Sequence, residues 1–336
     1  MGLLINNCFI FLNILFILLS KNIRLYSKIN VNYKIYINYK MLSEREIDYL
    51  PQIKKAISSL IKINDIQKIN MNEVLLTKLI GEGGQAKVYE GYYQNHHCAI
   101  TIFQKIDWKS FMNELVILSN LSHSNIPKFY GIVEEEKKIA LVIEYIKGKT
   151  LEDVKINEIS FSKKLKIIKK IGRVLEYMHV NHIIHRDLKP GNIMIDDKLN
   201  SFLIDFGISK ICANKKDTIT LTKGTLCYLA PECLDILQLT ENEEIISKIT
   251  PKVDVWAFGC LLSYIFSGIN PWDNLYKDDT QSIQIALMNK KDFPIPDVIK
   301  KFPEIYNIIK KCTIIDPNDR ANMTIINDMI DMLNYE

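Results

Sequence analysis

The stretch His185-Arg186-Asp187-Leu188-Lys189-Pro190-Gly191-Asn192 identifies the fold of this 336-residue chain, together with Asp205-Phe206-Gly207, which begins thirteen residues after Asn192. The first stretch places a carboxylate, an ammonium group and an amide in one short loop after a long run with helical periodicity. The second stretch follows an apolar, strand-like run over residues 202–204. The spacing predicts that Asp205 and Asn192 meet at one site.

The side chains of these two segments suit phosphoryl transfer. The carboxylate of Asp187 can accept or orient a hydroxyl proton, and the ammonium group of Lys189 can neutralise a phosphoryl group during its transfer. The amide oxygen of Asn192 and the carboxylate of Asp205 are oxygen ligands of the kind that Mg²⁺ prefers. We therefore expect Asp187, Lys189 and Asn192 to be catalytic, and Asn192 and Asp205 to hold Mg²⁺.

Further motifs complete a resemblance to a known family. Ala230-Pro231-Glu232, Asp254-Val255-Trp256 and Arg320 follow the two loops in this order. The series resembles the protein kinase superfamily, whose catalytic loop reads H-R-D-L-x-x-x-N and whose metal motif is D-F-G. The resemblance covers Leu79 to about Met332. It implies an α+β, bilobal protein kinase fold, with a small β-rich N-lobe, a larger helical C-lobe and the ATP cleft between them.

The hydrophobic pattern agrees with such a fold. Short β-like runs dominate residues 74–145, with one helical stretch over 108–121, and helical periodicity dominates after Thr150. Apolar residues upstream of the first strand recur at three- and four-residue spacing, which is typical of an amphipathic helix. We expect a helical extension over 41–73 and the kinase domain over 74–336.

The resemblance also assigns the class of acceptor and three structural residues. Lys189, two residues after Asp187, matches the loop of Ser/Thr-specific kinases, with a weaker similarity to the tyrosine-kinase-like group. Glu232 and Arg320 are implied to form a buried ion pair, and Asp254 is implied to be structural. The alternative of a small-molecule kinase conflicts with these three residues, because in the family they build the platform for a protein substrate.

Candidates for nucleotide binding come from the same resemblance. Glycines in the segment 80–88 let backbone N–H groups approach phosphate oxygens without a Cβ in the way, and Ala86 stands at the third glycine position. Ile143 is implied to be the gatekeeper, and the backbone of Glu144 and Ile146 to bond the adenine. The expected ATP-binding residues are Ile80, Gly81, Gly83, Val88, Ala99, Glu114, Ile143, Glu144, Ile146 and Met194.

The chain departs from the family at one nucleotide-binding position. Cys98-Ala99-Ile100-Thr101 stands where the family has V-A-I-K, although Glu114, the usual partner of the missing lysine, is present. Three explanations stay open. Lys87 or Lys105 replaces the lysine; the chain is a pseudokinase scaffold or allosteric adaptor that binds nucleotide weakly; or Thr101 is an error in the sequence. Lys87 has the wrong strand parity, and Lys105 lies roughly 13 Å along the strand from Thr101.

Regulation is expected between the metal motif and A-P-E. Arg186, beside the catalytic aspartate, can pair with a phosphothreonine in this segment and order it. Its candidate partners are Thr218, Thr220 and Thr222.

Residues 1–40 differ in composition from the rest of the chain. They contain five of the 43 Lys and Arg residues and none of the 39 Asp and Glu residues, so the remainder is close to neutral and does not resemble a nucleic-acid-binding protein. The apolar run over 2–19 has three interpretations: a membrane anchor, a cleaved signal peptide, or a misassigned start with Met41 as the true one. The predicted location is cytoplasmic, or membrane-anchored with the kinase domain facing the cytosol.

The seven cysteines are scattered along the chain without a C-x-x-C pair, which argues against a zinc site.

Overall fold

The computed structural model describes residues 66–83, 86–104, 108–135, 138–206, 226–238, 250–277 and 279–333. Several predictions fall outside these residues and stay predictions: the segment 1–40, most of the helical extension, Lys105 and the three candidate phosphothreonines, Thr218, Thr220 and Thr222.

The N-terminal half of the structure is a twisted sheet with one long helix. The sheet has six strands in the order β1-β5-β6-β4-β3-β2. These strands are β1 Lys68–Ile69, β2 Val74–Glu82, β3 Ala86–Tyr93, β4 His96–Phe103, β5 Phe129–Glu135 and β6 Lys138–Glu144. Helix α1, Trp108–Asn120, follows β4. The predicted β-rich region with a single helical stretch is therefore confirmed.

Alternation along the strands separates two apolar faces of this sheet. Cys98 and Ile100 of β4 are fully buried in a small core that also contains Val142 of β6. Ala99 and Thr101 alternate with them in sequence and therefore point to the opposite face, because strand side chains alternate. That second face is turned toward α1 and the helical half.

The beginning of the described chain differs from the predicted helical extension. Lys68 and Ile69 form a strand that pairs in parallel with β5, opposite Ile132 and Val133. Burial of Ile69 in the core of the sheet favours the strand here over a continued helix. This end of the extension is thus part of the sheet.

The C-terminal half is mainly helical. Its helices are α2 Phe161–Val180, α3 Pro231–Gln238, α4 Lys252–Ser267, α5 Asp273–Tyr276, α6 Thr280–Met288, α7 Pro303–Cys312 and α8 Met323–Asp331. Helix α4 is buried along almost its whole length and packs closely against α7. A Cβ at Gly259 of α4 would lie 2.6 Å from the Cβ of Cys312, so only glycine allows this approach. The bilobal α+β fold is confirmed.

A second, three-stranded sheet packs against α2 and holds the loops of the candidate site. Its strands are β7 Gly148–Thr150, β8 Ile193–Asp196 and β9 Ser201–Leu203, with β8 in the centre. The residues 185–192 precede β8 directly, and Asp205 follows β9 by two residues. In the described part of the chain, no helix has the length and apolar character needed to cross a bilayer.

Candidate active site

The loop before β8 brings the three predicted catalytic side chains together. Lys189 Nζ donates to Asp187 Oδ2 at 2.8 Å. Asn192 Nδ2 donates to the same oxygen at 3.0 Å and to the Asp187 backbone carbonyl at 2.7 Å. The Asp187 side chain is mostly buried and is held by a cation and an amide that come from one short turn, Pro190–Asn192, and the residue before it.

Asp254 holds the backbone of this loop in place through its carboxylate. It is fully buried at the beginning of α4, and its carboxylate accepts hydrogen bonds from the backbone amides of His185 at 2.8 Å and Arg186 at 2.7 Å. Arg186 has φ 70°, a left-handed conformation that is unfavourable for a residue with a Cβ. The two charge-assisted bonds offset this strain and hold Asp187 in position.

The third contact of Asp254 comes from His179 on α2, whose Nε2 lies 2.9 Å from the carboxylate. Burial raises the pKa of Asp254, but the hydrogen bond and charge of His179 and the bond from the Arg186 amide outweigh it, so the pKa lies below its ordinary value. The carboxylate therefore stays ionised at neutral pH. His179 was not predicted from the sequence, and its position within α2, six residues before His185, gives no distinct signal.

Asp205 is brought to Asn192 by the pairing of β8 with β9. Ile193 is opposite Leu203, and the Ile204 amide donates to the Asn192 carbonyl at 2.9 Å. Asp205 itself has φ 63°, which turns its side chain out of the strand direction. Phe206 is buried with its ring edge-on to His185, at 5.7 Å between ring centroids.

The donor set at this point fits a hard divalent cation. Because Asn192 uses its amide nitrogen to bond Asp187, its amide oxygen is left for a ligand. Asp205 follows Ile204, whose amide donates to the Asn192 carbonyl, so the backbones of the two predicted metal ligands are close to each other. An amide oxygen and a carboxylate are typical ligands of Mg²⁺ beside nucleotide phosphates.

The predicted nucleotide-binding residues line the face of the sheet that is turned toward the helical half. In the strand register Val88 is opposite Thr101, and Ala99 is opposite Ile143, which places these side chains on one face. Gly81 is opposite Val88 on the neighbouring strand. The turn between β2 and β3 includes a bond from the Gly83 amide to the Ala86 carbonyl at 2.9 Å. Ile80 is exposed beside this turn.

The segment after β6 closes the far end of this face. The amides of Glu144 and Tyr145 donate to the carbonyls of Lys128 and His97, which fixes the backbone that leads to Ile146. Met194 lies in the second sheet, opposite Thr150 and Phe202. It approaches from the helical half.

Thr101 and Glu114 show the consequence of the missing lysine. Glu114 is partly buried on α1, directly before the buried Leu115, and no cation of the described residues forms an ion pair with it. Burial, and then the charge of Asp205, raise the pKa of Glu114 from its ordinary 4.5 to about 7. Thr101 offers no cation to this carboxyl group, which is therefore a weak acid.

Lys87 does not fill this position in the structure. It is opposite Ile102, so it lies on the other face of the sheet from Thr101. Its ammonium group pairs with Glu82 at 2.8 Å, and this hydrogen bond and charge raise the pKa of Lys87. The sequence-based objection from strand parity therefore agrees with the observed register.

Replacing Glu114 with glutamine is expected to change how stability depends on pH. A carboxyl group with a pKa near 7 in the folded state and near 4.5 in the unfolded state destabilises the fold as pH rises through this window. Above pH 7 the Glu114→Gln variant should therefore be more stable than the wild type, by on the order of 3 kcal/mol, and the difference should vanish as the pH falls below 4.5. Urea unfolding at several pH values, without nucleotide or metal, measures this. Parallel pH profiles for the two proteins would contradict it.

Arg320 and Glu232 form the buried ion pair that the resemblance implied. Arg320 Nη1 lies 2.6 Å from Glu232 Oε1, and Nη2 lies 3.1 Å from Oε2, a two-pronged arrangement. The guanidinium also donates to the carbonyls of Ile314, Lys252 and Ile315 and lies over the ring of Trp256. The pair connects the beginning of α3 to the loop before α8.

Comparison with known proteins agrees with this geometry. The family model of the protein kinase domain matches residues 74–330. A protein of Acanthamoeba polyphaga mimivirus, named as a serine/threonine-protein kinase/receptor, is 31% identical over 291 residues, which cover 83% of this chain and 17% of that protein. The Aurora kinase of Saccharomyces cerevisiae is 29% identical over 277 residues, covering 78% of this chain and 70% of that kinase.

A third relative is the MDIS1-interacting receptor like kinase 2 of Arabidopsis thaliana. It is 27% identical over 268 residues, which cover 73% of this chain and 25% of that protein. The chain thus spans a quarter or less of the length of both receptor-type relatives. The family model covers most of the chain, and the motif residues meet in one site. The chain belongs to the protein kinase family.

Proposed function

We propose that the chain transfers the γ-phosphoryl group of ATP to serine or threonine hydroxyls of protein substrates. The observation that supports this most directly is the arrangement around Asp187, whose carboxylate accepts hydrogen bonds from Lys189 and Asn192. In this proposal Asp187 orients the acceptor hydroxyl and takes its proton, and Lys189 neutralises the phosphoryl group in transfer.

Asn192 and Asp205 hold the metal ion in this proposal, through the amide oxygen of one and the carboxylate of the other. We propose that the ion is Mg²⁺, which supplies positive charge against the β- and γ-phosphate oxygens when it is bound. Ala99, Val88 and Met194 enclose the adenine, and the backbone of Glu144 and Ile146 binds its edge. The names of the relatives, two of which are kinases of the Ser/Thr or Aurora type, support the same activity.

A phosphotransfer assay with the purified full-length chain tests this function. Labelled ATP, Mg²⁺ and a mixture of general protein substrates are expected to give labelled phosphoserine and phosphothreonine. The Asp187→Asn variant is the control for contaminating kinases. Equal labelling by wild type and Asp187→Asn, or label on tyrosine only, would refute the proposal.

A second candidate function, a nucleotide-binding scaffold, is favoured by one observation: Glu114 forms no ion pair with a cation of the described chain. The intact set of Asp187, Lys189, Asn192 and Asp205 favours catalysis instead. The substitution that follows separates the two functions.

Thr101→Lys is expected to raise kcat/KM for ATP. A lysine here points to the nucleotide face, opposite Val88, and can bond both Glu114 and a phosphate oxygen. A hydrogen bond that involves a charged group contributes about 1.5 to 3 kcal/mol, which corresponds to roughly 10- to 100-fold in rate. Thr101→Met, of similar length but uncharged, is the matched control. Steady-state kinetics at varied ATP concentration measure the effect, and an equal change in both variants would exclude the charge as its cause.

The size of the gain also distinguishes the explanations for Thr101. A gain confined to Thr101→Lys from a wild type without measurable turnover would identify a scaffold. No gain from an active wild type would mean that another cation already serves the phosphates.

A further inference from the structure

The outer face of helix α2 carries a row of cations. Lys163, Lys166, Lys170 and Arg173 follow one another at spacings of three and four residues, which places them on one face of the helix. Lys163, Lys166 and Arg173 are exposed, and Lys170 is half-buried. The apolar residues of α2 lie on the other face and are buried in the core. The cations therefore form a single row on the surface of the C-lobe.

The turn between β8 and β9 is held against this row. The carboxylate of Asp196 accepts a hydrogen bond from the Lys198 amide at 2.9 Å, which fixes the turn. Ser201 Oγ donates to the Ile167 carbonyl of α2 at 3.2 Å, and Lys166 Nζ donates to the Lys198 carbonyl at 3.4 Å. The backbone of Lys198 is therefore next to the row, and its side chain is exposed.

The end of the row toward the C-terminus of α2 is neutralised within the protein. Arg173 lies 2.9 Å from Glu176 and also pairs with Asp331. Lys169, which borders the row, lies 3.5 Å from Asp331. Two carboxylates thus compensate these two cations.

The beginning of the row has no such compensation. Among the residues that the structure describes, no acid forms an ion pair with Lys163, Lys166, Lys170 or Lys198, which together are called the basic stripe. Burial lowers the pKa of Lys170, and the positive charge of Lys166 lowers it further, against a smaller opposing effect of Asp196. The lysines of the basic stripe thus repel one another more than the neighbouring acid attracts them.

The position of these lysines opposes the stability of the helix. Lys163 and Lys164 lie in the first turn of α2, which contains no acidic residue, although the partial positive charge of a helix N-terminus favours acids there. Lys166 is a like-charged neighbour of Lys163 and of Lys170 at helical spacing, which is also unfavourable. A bound anion relieves both effects.

The surroundings favour an acidic peptide over a membrane or a nucleic acid as this anion. A helix that binds a membrane surface inserts apolar side chains beside its basic ones, whereas the apolar residues of α2 are buried in the core. Asp197, which precedes Lys198, and Asp331, which pairs with Lys169, repel an anionic surface broad enough to reach them. A single peptide strand with several carboxylates fits a narrow stripe, which is about 10 Å long on α2.

We propose that the basic stripe is a docking surface for an acidic peptide segment of a protein substrate. This inference rests on the proposed function, because it places the acceptor hydroxyl of the docked protein at Asp187. The four residues of β8 separate Asn192 in the catalytic loop from the turn that bears Lys198, about 13 Å at strand rise. The acidic segment and the acceptor are therefore at least about four extended residues apart. Docking raises the local concentration of the acceptor, so it lowers KM and leaves kcat unchanged.

Peptide binding to the full-length chain tests the docking surface without turnover. The probe is a fluorescein-labelled peptide of twelve alternating glutamate and serine residues, and its partner peptide has glutamine for glutamate. We expect Lys163→Gln with Lys166→Gln to weaken binding of the acidic peptide by about 3- to 20-fold in fluorescence anisotropy, as for two surface ion pairs. The matched control is Lys310→Gln with Lys311→Gln, which removes two exposed lysines from the end of α7 and should retain the affinity.

Controls on stability and salt separate docking from a structural effect. The melting temperature of the Lys163→Gln, Lys166→Gln variant should not fall below that of the wild type, because the substitutions remove repulsion from the first turns of α2. Wild-type affinity should decrease as the salt concentration rises. Equal affinity of the wild type and this variant for the acidic peptide, or equal losses in both double variants, would overturn the inference. Tighter binding to vesicles with anionic phospholipid, or to a DNA duplex, would also overturn it.

Phosphotransfer kinetics test the connection to the substrate. Two peptides share one acceptor serine and carry either four glutamates or four glutamines, placed eight residues before or after it. The glutamates should lower KM several-fold without a change in kcat in the wild type and the control, but not in the Lys163→Gln, Lys166→Gln variant. All three proteins should phosphorylate the glutamine peptides equally. Binding of the acidic peptide by a protein without turnover would refute the proposed function only, whereas turnover to which the glutamates add nothing would refute the inference only.

Discussion

Asp187→Asn is expected to lower kcat by about 10²- to 10⁴-fold, the usual contribution of a positioned general base. Asparagine has nearly the same shape, so the bonds from Lys189 and Asn192 have a similar geometry, but the group no longer takes a proton. The KM for ATP should change little, because the nucleotide face of the sheet is formed by other segments. Steady-state phosphotransfer measures kcat and KM separately.

The control for this prediction is Asp197→Asn. Asp197 is exposed in the turn after β8, close to the same loop in sequence, and has no part in the proposed chemistry. Its replacement should leave kcat within twofold of the wild type. A kcat that is equally preserved in Asp187→Asn would remove Asp187 from the proposed mechanism.

Arg320→Met is expected to destabilise the fold by about 3 to 5 kcal/mol, the usual effect of removing one partner from a buried ion pair. The substitution leaves the largely buried Glu232 carboxylate without its cation, and it leaves three backbone carbonyls without a donor. Most of the loss comes from these desolvated groups, because a methionine side chain replaces much of the packing on Trp256. The free energy of unfolding in urea measures the effect.

Two further variants distinguish the effect of burial on stability from the effect of ion pairing. Arg173→Met removes an arginine that pairs with Glu176 and Asp331 but is about half exposed, at 47% of its side chain, so we expect a loss below about 1 kcal/mol. The double variant Arg320→Met with Glu232→Leu should recover part of the loss, because no unpaired charge is then left in the interior. If Arg320→Met were as mild as Arg173→Met, the ion pair would have no structural importance.

Sequence periodicity and motifs predicted most elements of this fold. Strands dominate residues 74–145 as their β-like runs predicted, and the helical stretch predicted over 108–121 is the helix Trp108–Asn120, which ends one residue earlier. These segments are predictable because their apolar residues repeat with a local period. The pair of Arg320 with Glu232 became predictable only through the family resemblance, since 88 residues separate its partners.

Contacts between distant segments account for what the sequence did not reveal. Lys68–Ile69 continued an amphipathic pattern, yet parallel pairing with β5 makes them a strand, and that partner lies more than sixty positions away. The bond from His179 to Asp254 also depends on tertiary packing. A polar residue within a helix does not show its partner locally.

The hydrogen bonds from the loop amides to Asp254 also determine how the active site is lost on heating. The acceptor is part of α4, which is buried along almost its whole length, so the loop cannot open by itself without exposing a charged group inside the C-lobe. Opening of the catalytic loop and melting of the C-lobe are therefore one cooperative event. We therefore expect heat inactivation to follow the global unfolding transition of the C-lobe, without an earlier opening of the catalytic loop alone.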